Sequence, residues 1–261
     1  MAKQKVKAII KSQNSIAENI YDLRLETSLC SQAGAGQFVS VYVPDASRLL
    51  PRPISICGID RQAGVLRLVY RVSGAGTRIL SCMKAGERLE ILGVLGNGFP
   101  LEQTDGKRAL VMGGGIGIPP MLQTAASLKE RGKAAGVTAA LGYQSETFLK
   151  DEFEGVCPVV CATEDGSCGS RGNVLDAIKE QGGDFDVIFA CGPMPMLRAV
   201  KKFAEANNIE AFISLEERMA CGVGACLGCV TKTVEVDAHS GVHNSRICTD
   251  GPVYRAEDVE I

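Results

Sequence analysis

The sequence predicts an α+β multidomain chain in three consecutive parts: an antiparallel β-barrel, a central α/β parallel sheet and a small cysteine-rich C-terminal region. Three observations predict it. Short apolar runs with period-two alternation fill residues 1–103, near-continuous apolar runs alternate with amphipathic stretches over 104–214, and four of the 11 cysteines crowd into 215–261. These three ranges are the expected domains.

In the first part, residues 38–43, 54–56, 66–72 and 88–92 read as strands, broken by glycine, proline or charge at the spacing of a barrel or sandwich. The texture changes at Lys107. Residues 108–112 form an apolar strand, followed by glycines and an amphipathic helix. Pro119-Pro120 suits that helix's first turn, and Gly132 its end. Residues 137–143, 158–163 and 186–191 repeat the buried-strand pattern. Residues 173–181 and 195–208 read as helices, with Asn173 as an N-cap. Strands alternating with helices imply a parallel sheet. The remaining 46 residues after Leu215 are too few to build a core without a staple.

Composition narrows the function. With 28 basic and 30 acidic side chains the net charge is −2, which leaves no electrostatic footprint for nucleic acid. No apolar run approaches the length of a membrane span, and the run over residues 8–10 is too short for a signal-peptide core. The expectation is a soluble, cytoplasmic chain. An odd thiol count without a secretory signal is no disulfide framework. Cys30, Cys57, Cys82, Cys157 and Cys161 read as small hydrophobes.

Cys221, Cys226, Cys229 and Cys248 stand apart as C-x4-C-x2-C…C, the spacing of plant-type [2Fe–2S] ligation. Gly222, Gly224 and Gly228 keep Cβ atoms out of a loop that must wrap a compact cluster. Structural zinc is the rival. It pairs two short knuckles, and only Cys226 and Cys229 make a short pair here, although His239 and His243 lie between the third and fourth cysteines. A second motif, Gly113-Gly114-Gly115-Ile116-Gly117-Ile118-Pro119-Pro120, joins a strand to a helix N-terminus. Such a turn suits a pyrophosphate or is simply a tight connection. Cys191-Gly192-Pro193-Met194 ends another strand, on the edge where open α/β sheets bind ligands. A third set, Arg52-Pro53-Ile54-Ser55 with Val69-Tyr70-Arg71 and Gly74-Ala75-Gly76-Thr77, carries arginine and hydroxyl donors. It suits a phosphorylated cofactor, or an edge strand with a solvated arginine.

Taken in order, these motifs resemble the ferredoxin–NADP reductase superfamily. The segment from Ser214 through the four cysteines to Tyr254 narrows the resemblance to the electron-transfer subunits of class 1B dihydroorotate dehydrogenase. The resemblance covers nearly the whole chain. It implies that Arg52, Pro53, Ile54 and Ser55 line FAD, with Arg52 near the phosphates and Ser55 near the reactive flavin nitrogen, and that Val69, Tyr70, Arg71, Gly76 and Thr77 add contacts. Gly113, Gly114, Gly115, Gly117, Cys191, Gly192, Pro193 and Met194 would border the nicotinamide cofactor, and the four cysteines would hold the cluster. Ile54 departs from the tyrosine that many members stack on the flavin.

The implied reaction is electron transfer. NAD exchanges electron pairs, a [2Fe–2S] cluster carries one electron, and a flavin mediates between them. The chain then needs no catalytic side chain of its own. Its partner would be an FMN-containing dihydroorotate dehydrogenase catalytic subunit, in a heterotetramer of two plus two. Residues 142–146 contain no arginine, and Glu146 repels a 2′-phosphate, so NAD is expected over NADP. Glu164-Asp165-Gly166-Ser167 either touches a ribose or makes a turn. Two other functions remain open on sequence: a reductase subunit of another NAD(P)H-dependent flavoprotein or ferredoxin system, and a zinc-stapled nucleotide-binding module.

Overall fold

A computed structural model describes residues 3–236 and 241–261. The first six strands are β1 (Gln4–Ala17), β2 (Ile20–Glu26), β3 (Phe38–Tyr42), β4 (Arg52–Asp60), β5 (Val65–Arg71) and β6 (Arg88–Leu95). They close a barrel in the order β1-β2-β5-β4-β3-β6, with antiparallel neighbours. A short helix, α1 (Ala75–Ser81), connects β5 to β6. Alternation does the sorting: Val39, Val41, Leu66, Leu68, Leu89 and Ile91 fill the interior, and the intervening positions face outward.

The second region contains β7 (Arg108–Gly114), α2 (Ile118–Arg131), β8 (Gly136–Tyr143), α3 (Lys150–Glu154), β9 (Val159–Thr163), β10 (Ser170–Arg171), α4 (Val174–Gln181), β11 (Val187–Cys191), α5 (Met194–Asn207) and β12 (Glu210–Ser214). The expected caps hold: α2 ends on Gly132 at φ +61°, and the Asn173 side chain accepts the Asp176 N–H at 2.9 Å. Strands β13 (Val230–Lys232), β14 (Asn244–Arg246) and β15 (Val253–Arg255) follow.

The large sheet runs β10-β9-β8-β7-β11-β12-β15 and is parallel except for β15, which pairs antiparallel with β12. The sheet therefore extends into the cysteine-rich part of the chain, and β15 covers an edge that β12 would otherwise leave open. Strand β7 has β8 on one side and β11 on the other, which makes it the point where the strand order reverses. A ligand crevice forms there, at the carboxyl ends of the strands. Barrel and sheet are joined on one side by Arg67 of β5. It is paired with Asp22 of β2 at 2.8 Å and bonded to Glu152 of α3 at 2.8 Å. No helix of the described residues is long and apolar enough to cross a membrane.

Candidate functional site

A cleft of about 600 Å³ opens where the strand order reverses, within the size range of small-molecule sites. Its walls come from the β1–β2 turn, the end of β5, and the loops after β7, β8, β9 and β11. Gly113 and Cys191 sit side by side in the sheet, so the two glycine-bearing loops meet. The structure explains most of those glycines by contact between the loops. A Cβ on Gly117 would lie 2.3 Å from the Cys191 carbonyl oxygen, one on Gly114 2.6 Å from Met196 Sδ, and one on Gly192 2.6 Å from Met196 Cε. Gly115 differs. Its φ is +52°, and the nearest atom to a Cβ there is Arg71 Nη2, 3.8 Å away across the cleft. Gly113 packs on Ile118.

The charge of the cleft is uneven. Among the described residues, Glu18, Glu146, Glu164 and Glu216 line it, against the single cation Arg71. Glu146 Oε2 accepts the Glu18 backbone N–H at 2.8 Å, which ties the loop after β8 to the barrel. Burial raises the Glu216 pKa. Burial, followed by the nearby Glu216 carboxylate, pushes the Cys191 thiol far up, so it stays protonated at neutral pH and is no nucleophile.

On the barrel, Arg52 lies over the start of α1. A Cβ on Gly76 would stand 2.1 Å from Arg52 Nε. Arg52 also donates to the Leu50 carbonyl. The Thr77 hydroxyl accepts the Ser73 and Gly74 N–H groups at 3.0 and 3.2 Å and so shapes the loop under Arg52. Arg52 on β4 thus meets the Gly76-Thr77 turn, which comes from a later part of the chain. Pro53 is exposed and Ser55 half-buried, whereas Ile54 turns into the barrel core. Val69 packs toward the sheet. Tyr70 points into the barrel, where its hydroxyl donates to Gln13 Oε1 at 3.0 Å.

The cysteine loop brings its thiols together in two pairs. The Cys226 thiol contacts Cys221, and Cys229 contacts Cys248. Burial opposes charge on Cys221, but the N–H groups of Val223, Cys226 and Ala225 outweigh it and bring its pKa down to about 6. Burial and the Cys229 thiol raise Cys248 to about 11. Arg246 Nε donates to Asp250 Oδ2 at 3.0 Å, closing the turn that carries Cys248. Gly222 and Gly224 have φ of +69° and +84°, and the one atom near a Cβ on Gly228 would be Cys226 Sγ. Opposite Gly222, the fully buried Ser40 hydroxyl has no hydrogen-bond partner among the described residues. Among those residues, no three metal-ligating side chains gather about one point. Two thiol pairs suit a two-iron cluster, which takes two thiolates per iron, better than a single tetrahedral ion. His243 Nδ1 bonds the Val234 carbonyl at 3.0 Å, and His239 lies outside the described residues.

Comparison with known proteins bears directly on this loop. Residues 216–260 match the iron–sulfur cluster binding domain of dihydroorotate dehydrogenase B. The chain is 43% identical over 264 residues to the dihydroorotate dehydrogenase B (NAD(+)) electron transfer subunit of Geobacillus sp. (strain WCH70), covering 99% of both. The chain belongs to this family. The subunit of the same description from Bacillus cereus (strain B4264) is 41% identical over 98% of each chain. Among solved structures, a chain of the NADH-dependent reduced ferredoxin–NADP oxidoreductase superposes with a TM-score of 0.85 at 28% identity, over 97% of this chain and 89% of that one. Amycolatopsis cytochrome P450 reductase shares the fold, with a TM-score of 0.70 at 22% identity over 79% and 67%.

Two features of the cleft and one of the barrel–sheet junction carry no signal in the sequence. Glu216 follows β12 with no motif around it. The Glu18–Glu146 tie joins residues 128 apart. The Arg67 bridge between barrel and α3 depends on a register that only the closed barrel sets.

Proposed function

We propose that this chain carries electrons between an FMN-containing, dihydroorotate-oxidising catalytic subunit and NAD⁺, using FAD and a [2Fe–2S] cluster of its own. The observation that carries the proposal is the junction of three sites in one body. The thiol loop leans on the barrel through Gly222 against Ser40 and Leu95, and on the large sheet through β15. The 600 Å³ cleft opens between barrel and sheet.

Residue roles follow from placement. Arg52, over Gly76 and Thr77, would hold the FAD diphosphate, with Pro53 and Ser55 on the outer face of β4 beside it. Ile54 and Tyr70 support that surface from inside the barrel and Val69 from the side facing the sheet, and Arg71 would add an FAD contact at the edge of the cleft. In the cleft the Gly115–Gly117 turn would take the nicotinamide cofactor's diphosphate, with Gly113, Gly114, Cys191, Gly192, Pro193 and Met194 forming the floor. Four carboxylates against one guanidinium in that cleft support NAD over NADP. Cys221 with Cys226 would serve one iron, and Cys229 with Cys248 the other.

When bound, the nicotinamide exchanges a hydride, the flavin takes electrons in pairs or singly, and the cluster carries one at a time. The protein contributes position, charge and exclusion of water. The domains divide at residues 103 and 214, and a two-plus-two assembly with the catalytic subunit completes the enzyme. Val223, Leu227, Val230, Val234, Val236 and Val242 are exposed in the cluster region and support docking there. Eleven cysteines without a disulfide suit a reducing cytoplasm.

The visible spectrum of the purified chain tests the reading. Flavin bands plus broad absorption bleached by dithionite are expected, and a colourless zinc protein would overturn it. Dihydroorotate-dependent NAD⁺ reduction on mixing with the catalytic subunit separates this role from that of another reductase. Cys226→Ser should lose the iron–sulfur absorption and keep NADH-to-dye activity.

A further inference from the structure

We propose that Cys161 and Cys168 form a redox-active dithiol beside the nucleotide cleft, a modification site that low-molecular-weight disulfides oxidise to an internal disulfide. Their Sγ atoms are 3.6 Å apart. A disulfide needs about 2.05 Å, so closure asks for a movement of roughly 1.5 Å. Neither cysteine belongs to the four-thiol loop, and the site is independent of the cofactor assignments above.

The local fold holds the pair together. Thr163, two residues beyond Cys161 on β9, grips the backbone of Cys168 twice. Its Oγ1 accepts the Cys168 N–H at 3.0 Å and donates to the Cys168 carbonyl at 3.1 Å. Gly169 then lets the chain fold flat on the strand: its φ is +69°, and a Cβ there would lie 1.9 Å from the Cys161 carbonyl oxygen. Any other residue at 169 would lift Cys168 off its partner. The Glu164 N–H donates to the Tyr143 carbonyl at 3.1 Å, and the Ser167 hydroxyl to the Ser145 carbonyl at 3.0 Å. The loop is thereby fixed to the end of β8 as well. Glu164 and Gly172, on either side of Cys168, line the cleft, so a cross-link here locks one of its walls.

The two thiols have different roles. Cys168 is partly exposed on the loop. Cys161 is buried, and burial together with the Cys168 thiol pushes its pKa up to about 12. Lys150 interacts favourably with negative charge on either sulfur. The Cys168 thiolate attacks a low-molecular-weight disulfide RSSR, forming a mixed disulfide and releasing RS⁻, which leaves with the proton from Cys168 as RSH. The Cys161 sulfur then gives up its proton and attacks Cys168 Sγ, breaking the mixed bond and expelling a second RSH. Two protein thiols are oxidised and one RSSR is reduced to two RSH.

The test exposes the holoprotein to oxidised glutathione, quenches with acid, alkylates the remaining thiols and maps peptides by mass. Expected is a cross-link between Cys161 and Cys168 that dithiothreitol removes, while Cys82, exposed just past the end of α1, stops at a glutathione adduct. Cys161→Ser should trap the adduct on Cys168, and Cys168→Ser should leave Cys161 unmodified. Thr163→Val should slow conversion of adduct to cross-link by roughly tenfold, because the clamp supplies the proximity. A native chain in which Cys168 halts at the adduct, stays unreacted, or cross-links to another cysteine overturns the proposal whatever the variants do.

Discussion

Gly117→Ala is the substitution whose cost the structure defines most sharply. The added Cβ would stand 2.3 Å from the Cys191 carbonyl oxygen, 2.4 Å from its carbon and 2.6 Å from the Gly192 nitrogen. All three are backbone atoms at the end of β11, so no rotamer change relieves the clash. Separating them to ordinary contact moves the start of α2 away from β11 by about 1 Å. Overpacking of this kind costs about 1–3 kcal/mol, and rigid opposing atoms place it near 3. For a chain of this size that corresponds to a fall in melting temperature of roughly 6–12 °C. Gly115→Ala is the control. It meets only Arg71 at 3.8 Å and suffers the φ of +52° alone, about 1 kcal/mol. Thermal melting followed by circular dichroism on both variants, each loaded with its cofactors, reads the difference. Gly117→Ala should also weaken NADH binding, because the displaced loops floor the cleft. If it melts within a degree of the native protein, or above Gly115→Ala, the contact between the two loops is not what requires glycine at 117.

Three further outcomes are expected. Gly76→Ala meets the flexible end of Arg52 rather than backbone, so melting should change little while FAD affinity falls roughly 10- to 100-fold, the worth of one charge-assisted hydrogen bond, read by flavin fluorescence. The Arg67 hydrogen bond holds the Glu152 carboxyl below its ordinary value of 4.5. Its stabilisation is complete above that value and is lost as pH falls through the lower folded-state pKa, so Glu152→Gln should flatten the dependence of urea midpoint on pH below about 5. Glu146→Gln keeps an acceptor for the Glu18 N–H but removes a negative charge from the cleft, so the NADP⁺-to-NAD⁺ affinity ratio should rise about tenfold in a fluorescence titration.

What sequence could reveal depended on whether the cause was local. The strand–glycine–helix unit around residue 114, the αL cap at Gly132, the Asn173 cap and the spacing of Cys221, Cys226 and Cys229 all follow from residues within a turn or two of each other. Strands β1 and β2 do not announce themselves. β1 carries charge and amide side chains along 14 residues and shifts register twice against β2, so its alternation is broken. Gly114 and Gly117 lack side chains because the loops after β7 and β11, neighbours in the sheet but far apart in sequence, press together, and Gly192 is crowded by Met196 as well as by Gly114; no single-strand pattern encodes that. The same holds for the Arg67–Glu152 bridge, whose partners are 85 residues apart. Long-range meetings of polar groups are set by topology, which alternation fixes only as a class.

The position of β15 bears on how the electron route is held. Asn97, just past the end of β6, donates to the Thr249 and Asp250 carbonyls at 3.2 and 2.9 Å. The Leu215 N–H donates to the Pro252 carbonyl at 2.9 Å, and Lys201 of α5 donates to the Val259 carbonyl at 2.6 Å. Cys229, Ile247 and Cys248 share one apolar cluster with Phe38 and Leu95 of the barrel and Ile188 and Ile213 of the sheet. The thiol loop is therefore anchored to both neighbours by the interactions that bury its own few apolar side chains. A region this small cannot supply a core alone, so its stability and its placement have the same source. Electron carriers need fixed separations, and here any opening that moved the cluster cysteines away from the barrel would also have to unzip β15 from β12 and expose that shared core.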